Sequence, residues 1–179
     1  MQTKYAMPIL WRNTNKETYQ HGSRIQFHSN GTYFENQLMP SGLQIHLWTM
    51  TTQFDQDGCT PNLPILKRGG HYRLIFEVEA HPVESVYFIL TFYRKNDTKI
   101  KQLMMNHGPK DFEYPKEAYR YDIRMMNASC HRLTFKRMVL TEVQLNDDIQ
   151  PTLACYDDMV KQVNHIIQRT RALQNANSF

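Results

Sequence analysis

The sequence predicts an all-β fold, an antiparallel β-sandwich of jelly-roll or related topology, followed by a C-terminal amphipathic α-helix. Three observations predict it. Alternation with period 2 is plainest from Tyr72 to Ala80, where Tyr72, Leu74, Phe76, Val78 and Ala80 face one way and Arg73, Glu77 and Glu79 the other. Seven or eight segments at short spacing, divided by glycine, proline and asparagine turns, form the pattern of stacked sheets. Helical periodicity appears only after residue 150, which divides the chain into a sandwich over 1–145 and a helical extension over 146–179.

Bulk properties bound the function. A chain of 179 residues buries roughly 70% of its unfolded surface, enough for a real core. The net charge of +4 comes from 21 basic and 17 acidic residues spread along the chain without a Lys/Arg block, which argues against nucleic acid as a partner. Cys59, Cys130 and Cys155 form no CxxC and no even framework, so reduced thiols in a cytoplasmic setting are expected. The stretch from Tyr5 to Trp11 is interrupted by Pro8 and followed by polar residues, so no signal peptide is read. Val86–Phe92 falls far short of the roughly 20 apolar residues of a spanning helix, so no transmembrane segment is expected.

The elements follow in order. Residues 1–23 mix aromatics and turn formers and read as loop with a short edge strand. Arg24–His28 alternates weakly through Ile25 and Phe27, and Ser29-Asn30-Gly31 turns the chain. Pro40-Ser41-Gly42 forms a second turn, after which Leu43, Ile45 and Leu47 point one way and Gln44, His46, Trp48 and Met50 the other. His46 and Trp48 therefore lie either beneath a neighbouring loop or on a recognition surface. The two prolines of Thr60–Pro64 exclude a central strand.

Ser85–Lys95 carries Val86, Phe88, Leu90 and Phe92 on one face and Tyr87, Ile89, Thr91 and Tyr93 on the other, as a central strand would. Asn96-Asp97 is a hairpin turn returning through Ile100 and Leu103. Phe112–Ala118 reads as an irregular link, Tyr121, Ile123 and Met125 as inward residues of the next strand, and Leu133, Phe135, Val139 and Val143 as the last strand. In the tail, acidic residues and Pro151 mark a helix start, and Lys161, Arg169 and Arg171 suit its far end. Tyr156, Val160, Val163 and Ile167 recur at helical spacing and form a seam for its own domain or for a partner protein.

Motifs for catalysis are lacking. The chain has no GxSxG, HExxH, P-loop or GxGxxG, and no HxH pair for a metal-dependent jelly roll, so neither catalytic residues, metal nor cofactor is expected. Asp55-Gln56-Asp57-Gly58 begins like a calcium loop, but Leu66 stands where the bidentate glutamate belongs. Cys130 and His131, as neighbours at a strand end, point to opposite faces and read as structural, with the cysteine buried. Trp48, Tyr87 and Tyr93 are candidates for an outward aromatic face, which with His46 would take a sugar ring or another protein.

An ordered set of motifs resembles a known family. The set comprises Tyr19–Ser23, Phe34–Gly42, Ile45–Trp48, Leu63–Gly69 with Tyr72, Phe112–Pro115, Asn127-Ala128, and Leu133–Phe135. In order and spacing, over roughly residues 11–140, it resembles the third accessory secretory protein of the accessory Sec system, which exports serine-rich-repeat glycoprotein adhesins. Ser129 stands where that family often carries glycine. The resemblance implies a non-catalytic, carbohydrate-binding-module-like sandwich that acts as an adaptor in a cytoplasmic complex. Implied partners are the first and second accessory secretory proteins, the accessory SecA motor, and the adhesin preprotein or its glycans. The other implied reading is a lectin-like module binding those glycans directly.

Overall fold

The computed structural model describes residues 6–51, 60–106 and 108–144. Ten strands lie among them: β1 (Ala6–Ile9), β2 (Arg24–His28), β3 (Gly31–Glu35), β4 (Gln44–Thr49), β5 (His71–His81), β6 (Val86–Tyr93), β7 (Lys99–Met105), β8 (Lys110–Glu113), β9 (Arg120–Asn127) and β10 (Arg132–Val143). All pairings are antiparallel. The larger sheet runs β2-β3-β10-β5-β8, with β1 also on β10, and the smaller runs β4-β9-β6-β7.

From β3 onward each connection crosses from one sheet to the other, except the β6–β7 hairpin within the smaller sheet. That is the eight-stranded jelly roll, two Greek keys wrapped on a shared core. No helix occurs among the described residues, and the tail with its seam of Tyr156, Val160, Val163 and Ile167 lies outside them.

The core lies between the sheets. Leu74 and Phe76 of β5, Phe88, Leu90 and Phe92 of β6, Ile123 and Met125 of β9, and Leu133 and Phe135 of β10 are buried in it. The expected inward residues of β5 and β9 occupy those positions, and β6 is an interior strand as its two apolar faces required. Phe112–Ala118 is not simply a link. Lys110–Glu113 forms β8 against β5 and buries Phe112. Four residues with one inward aromatic give too little alternation to read; β5 defines them as a strand.

Two β-bulges shift the phase of strands that looked regular. In β4 the register against β9 slips between Gln44 and His46, so Ile45 and His46 both turn inward, Trp48 follows them, and Leu47 turns outward. In β10 it slips between Phe135 and Arg137, and the inward residues become Met138 and Leu140 in place of Val139 and Val143. One extra residue in a period-2 pattern sends every later side chain to the other face.

One end of the sandwich is closed by three cross-linked loops, 36–43, 82–85 and 128–131, the Ala128 N–H donating to the Ser85 carbonyl at 2.8 Å. Buried Asn127 donates from Nδ2 to the carbonyls of Met39 (2.9 Å) and Pro40 (3.1 Å) and accepts the Cys130 N–H at 2.6 Å. Ser129 adopts φ 72°, a left-handed conformation that glycine enters without steric cost, and its hydroxyl meets that of Ser41 at 2.8 Å. Cys130 is buried, and burial raises its thiol pKa.

Candidate functional site

The two outer faces differ. On the larger sheet, cross-strand ion pairs line the solvent side: Arg73–Asp111 (2.6 and 2.7 Å), Arg137–Glu77 (2.9 Å) and Lys136–Glu79. Exposed pairs of this kind contribute little stability, but they mark a solvated surface. The smaller sheet instead presents Leu47 of β4, Met126 of β9, Tyr87 and Ile89 of β6 and Met104 of β7 on one side of a polar centre. Met104 is 68% exposed.

That centre is built by cross-strand pairing of β6 with β9, which sets Thr91 opposite Asp122 and Tyr93 opposite Arg120. The Tyr93 hydroxyl donates to Asp122 Oδ2 at 2.7 Å and accepts from Arg124 Nη2 at 3.2 Å. The Arg120 guanidinium carbon stands 3.9 Å above the Tyr93 ring, and Arg120 Nε donates to Asp97 Oδ1 at 2.8 Å. Burial raises the pKa of Asp122, against the opposing pull of Tyr93, Arg124 and Arg120. Burial also raises that of Tyr93, with the bond to Asp122 adding to it. Asp122 Oδ1 and Arg124 Nε carry no hydrogen bond among the described residues, and Thr91 Oγ1 favours the charged carboxylate without completing one. These atoms are enclosed by the sheet's own side chains, and the Tyr, Met and Arg side chains beside them are residue types that interface cores favour.

The structure separates the four residues expected to share an outward face. Tyr87 and Tyr93 are on the outer face of the smaller sheet, with Tyr93 nearly covered. His46 and Trp48 are fully buried on the opposite side. They form no recognition surface: the β4 bulge turns them inward, beneath the segment that carries Trp11 and Thr18. Trp11 stacks on His46 at 4.7 Å between ring centroids, Trp48 meets the same ring edge-on at 4.6 Å, and Trp48 Nε1 donates to the Leu10 carbonyl at 3.1 Å.

Thr18 Oγ1 and His46 Nδ1 are 2.7 Å apart, the spacing of a nucleophile and its base, yet both residues are buried. The Thr18 hydroxyl donates to Asn15 Oδ1 at 3.0 Å, so Nδ1 of His46 is the ring nitrogen that donates to Thr18. This chain of bonds ties a loop to the core. Among the described residues no group of three or more His, Cys, Asp or Glu side chains is placed to hold a metal ion. A cavity of about 590 Å³, lined in part by Glu35, His81, His131 and Arg132, lies at the ends of β3, β5 and β10.

Sequence reasoning missed Asp122, Arg124 and Thr91. A signal was present: with Tyr121, Ile123 and Met125 inward, the alternate residues Arg120, Asp122 and Arg124 had to share the outer face with the tyrosines of β6. We expect Asp122→Ala to cost about 1–3 kcal/mol, because it strands the Tyr93 hydroxyl and the Arg124 guanidinium. Asp122→Asn keeps an acceptor and removes a desolvated charge, so it should melt at or above the wild-type temperature. Thermal melts of both variants at pH 7 check this.

The model of the family described as "Accessory Sec secretory system ASP3" matches residues 18–142. The chain belongs to this family. An accessory Sec system protein of the same designation from Staphylococcus aureus is 42% identical over 142 residues, covering 79% of this chain and 44% of its own length. Its counterpart from Streptococcus gordonii is 35% identical over 127 residues, covering 70% of this chain and 80% of its own.

Among solved structures, a chain of the "Glycosylation Associate Protein (Gap123) complex from Streptococcus agalactiae" is 31% identical with a TM-score of 0.73, covering 79% of this chain and 46% of that one. A chain of accessory secretory protein 1, 2 and 3 in Streptococcus pneumoniae, at 24% identity and the same TM-score, covers 80% and 100% and shares the fold. This family member spans less than half the length of the S. aureus relative and of the S. agalactiae chain.

Proposed function

We propose that this chain is a non-catalytic adaptor subunit of the accessory secretory protein complex, supporting O-acetylation and export of serine-rich-repeat glycoprotein adhesins through the accessory Sec pathway. The observation that carries the reading is the outer face of the smaller sheet. Its Tyr93–Asp122–Arg124 centre and the apolar residues beside it suit a protein partner, where the larger sheet presents ion pairs to water. Family membership supplies the pathway. The partners are the first and second accessory secretory proteins, the accessory SecA motor and the adhesin preprotein. The setting is cytoplasmic, peripheral to the inner face of the membrane through the export complex. No helix among the described residues is long and apolar enough to cross a bilayer.

Co-expression with the two sister proteins tests the reading. The chain should co-purify with both and show no turnover alone; recovery of the chain by itself would overturn it. The helical seam is a second proposed contact. Val160→Asp with Ile167→Asp should abolish assembly and leave sandwich melting nearly unchanged if the seam serves a partner, and should lower melting markedly if it braces its own domain.

A lectin-like module binding the adhesin's glycans is the second reading, favoured by half-buried Tyr87 on the outer face of the smaller sheet. Because Trp48 is buried, Tyr87→Ala is the variant that tests it. Saturable glycan binding that Tyr87→Ala removes supports the lectin, and binding to protein partners alone supports the adaptor.

A further inference from the structure

Of the five sheet edges, four are protected: β1, on β10 in line with β3, is four residues long and carries Pro8. The outer edge of β4 is taken up by backbone contacts, with Tyr19 N–H donating to the Ile45 carbonyl at 2.9 Å and the Asn62 and Leu63 amides donating to that of Thr49. β7 carries Lys99 and Lys101 along a strand whose register slips at Phe92/Tyr93. β8 is four residues long, three of them charged. Lysines, bulges and short length are how sheets discourage the addition of further strands.

β2 carries neither lysine, proline nor bulge. It pairs with β3 in unbroken register from Arg24↔Glu35 to His28↔Gly31, and no backbone hydrogen bond reaches its other side among the described residues. Its core-side residues Ile25 and Phe27 continue the apolar layer of Phe34 past the last strand, and Phe27 is 45% exposed. On its solvent side, Arg24 and His28 make no ion pair among the described residues, while Glu35 opposite Arg24 accepts from the Tyr33 hydroxyl at 3.2 Å.

We infer that β2 takes an added strand from a sister protein of the same complex, an extended segment with apolar residues against Ile25 and Phe27 and acidic residues against Arg24 and His28. Main-chain hydrogen bonds along the free edge give the attachment, and the two rows of side chains give its register. The apolar ledge, the backbone edge left open among the described residues and the Arg24 guanidinium without an ion pair there all call for one such segment. The inference rests on the adaptor reading and locates one of its contacts.

Hydrogen exchange on the full chain, alone and co-expressed with the first and second accessory secretory proteins, tests it. In the complex, amides within 24–28 should slow by about tenfold or more. Phe27→Lys, at a half-exposed site, should leave melting of the isolated chain within a few degrees yet reduce recovery of the complex about tenfold, while Phe27→Leu restores recovery. An assembled complex with unprotected 24–28 amides, or undiminished assembly of Phe27→Lys, would overturn the strand addition alone. Protection that rises with concentration in the isolated chain would assign the edge to a second copy and overturn the sister-protein occupant. A wild-type chain that fails to associate at all overturns the adaptor reading itself.

Discussion

Trp48→Ala should destabilise the sandwich by about 3–5 kcal/mol, the range for deleting a buried tryptophan. For a domain of this size that lowers the melting temperature by roughly 10 °C or more. Trp48 is fully buried, within 5.0 Å of the Phe135 ring and edge-on to His46, and its indole nitrogen holds the Leu10 carbonyl. Truncation removes that bond along with the packing on both sheets, and the surrounding strands relax only partly into the space. Differential scanning calorimetry gives the loss directly. A variant melting within about 2 °C of wild type would mean that this residue is not a core element. Any loss of ligand binding in Trp48→Ala reports unfolding and not a missing contact.

Acid should destabilise the same cluster. Burial lowers the His46 pKa from 6.5 to about 3, and among the described residues its Nε2 has no acceptor for a second proton. The unfolded chain binds that proton below pH 6.5 and the folded chain does not, so the contribution is complete above pH 6.5 and is lost as pH falls toward about 3. The slope is at most about 1.4 kcal/mol per pH unit. Asp122 acts in the opposite sense, since a carboxyl held above its ordinary value gains its proton more readily in the folded state. Comparison of wild type with His46→Phe, which keeps an aromatic ring between Trp11 and Trp48, isolates the histidine. Denaturant titrations between pH 7 and 4.5 should show a flatter acid limb for the variant. Equal slopes would sink this account.

The sandwich was legible because two of its long strands, β5 and β9, alternate without a break. β5 and the inward side of β9 lie where their patterns put them, and β6, apolar on both faces, is flanked on both sides. The candidate face was legible only in part. Tyr87 and Tyr93 follow from the parity of β6, but their pairing with Asp122 and Arg124 depends on which strand lies beside β6, and sequence order does not say that β9 does.

Thus the sequence by itself determined the all-β class, the inward face of each unbroken strand, the turns at Gly31, Gly42 and Asp97, and the set of motifs that carries the family resemblance. Tertiary structure alone decided the side on which His46 and Trp48 lie, because a bulge is created by the strand opposite it and leaves no mark in local periodicity. It also decided that the Tyr93 hydroxyl meets a carboxylate 29 residues away, since hydrogen bonding between sheet neighbours depends on register and not on distance along the chain.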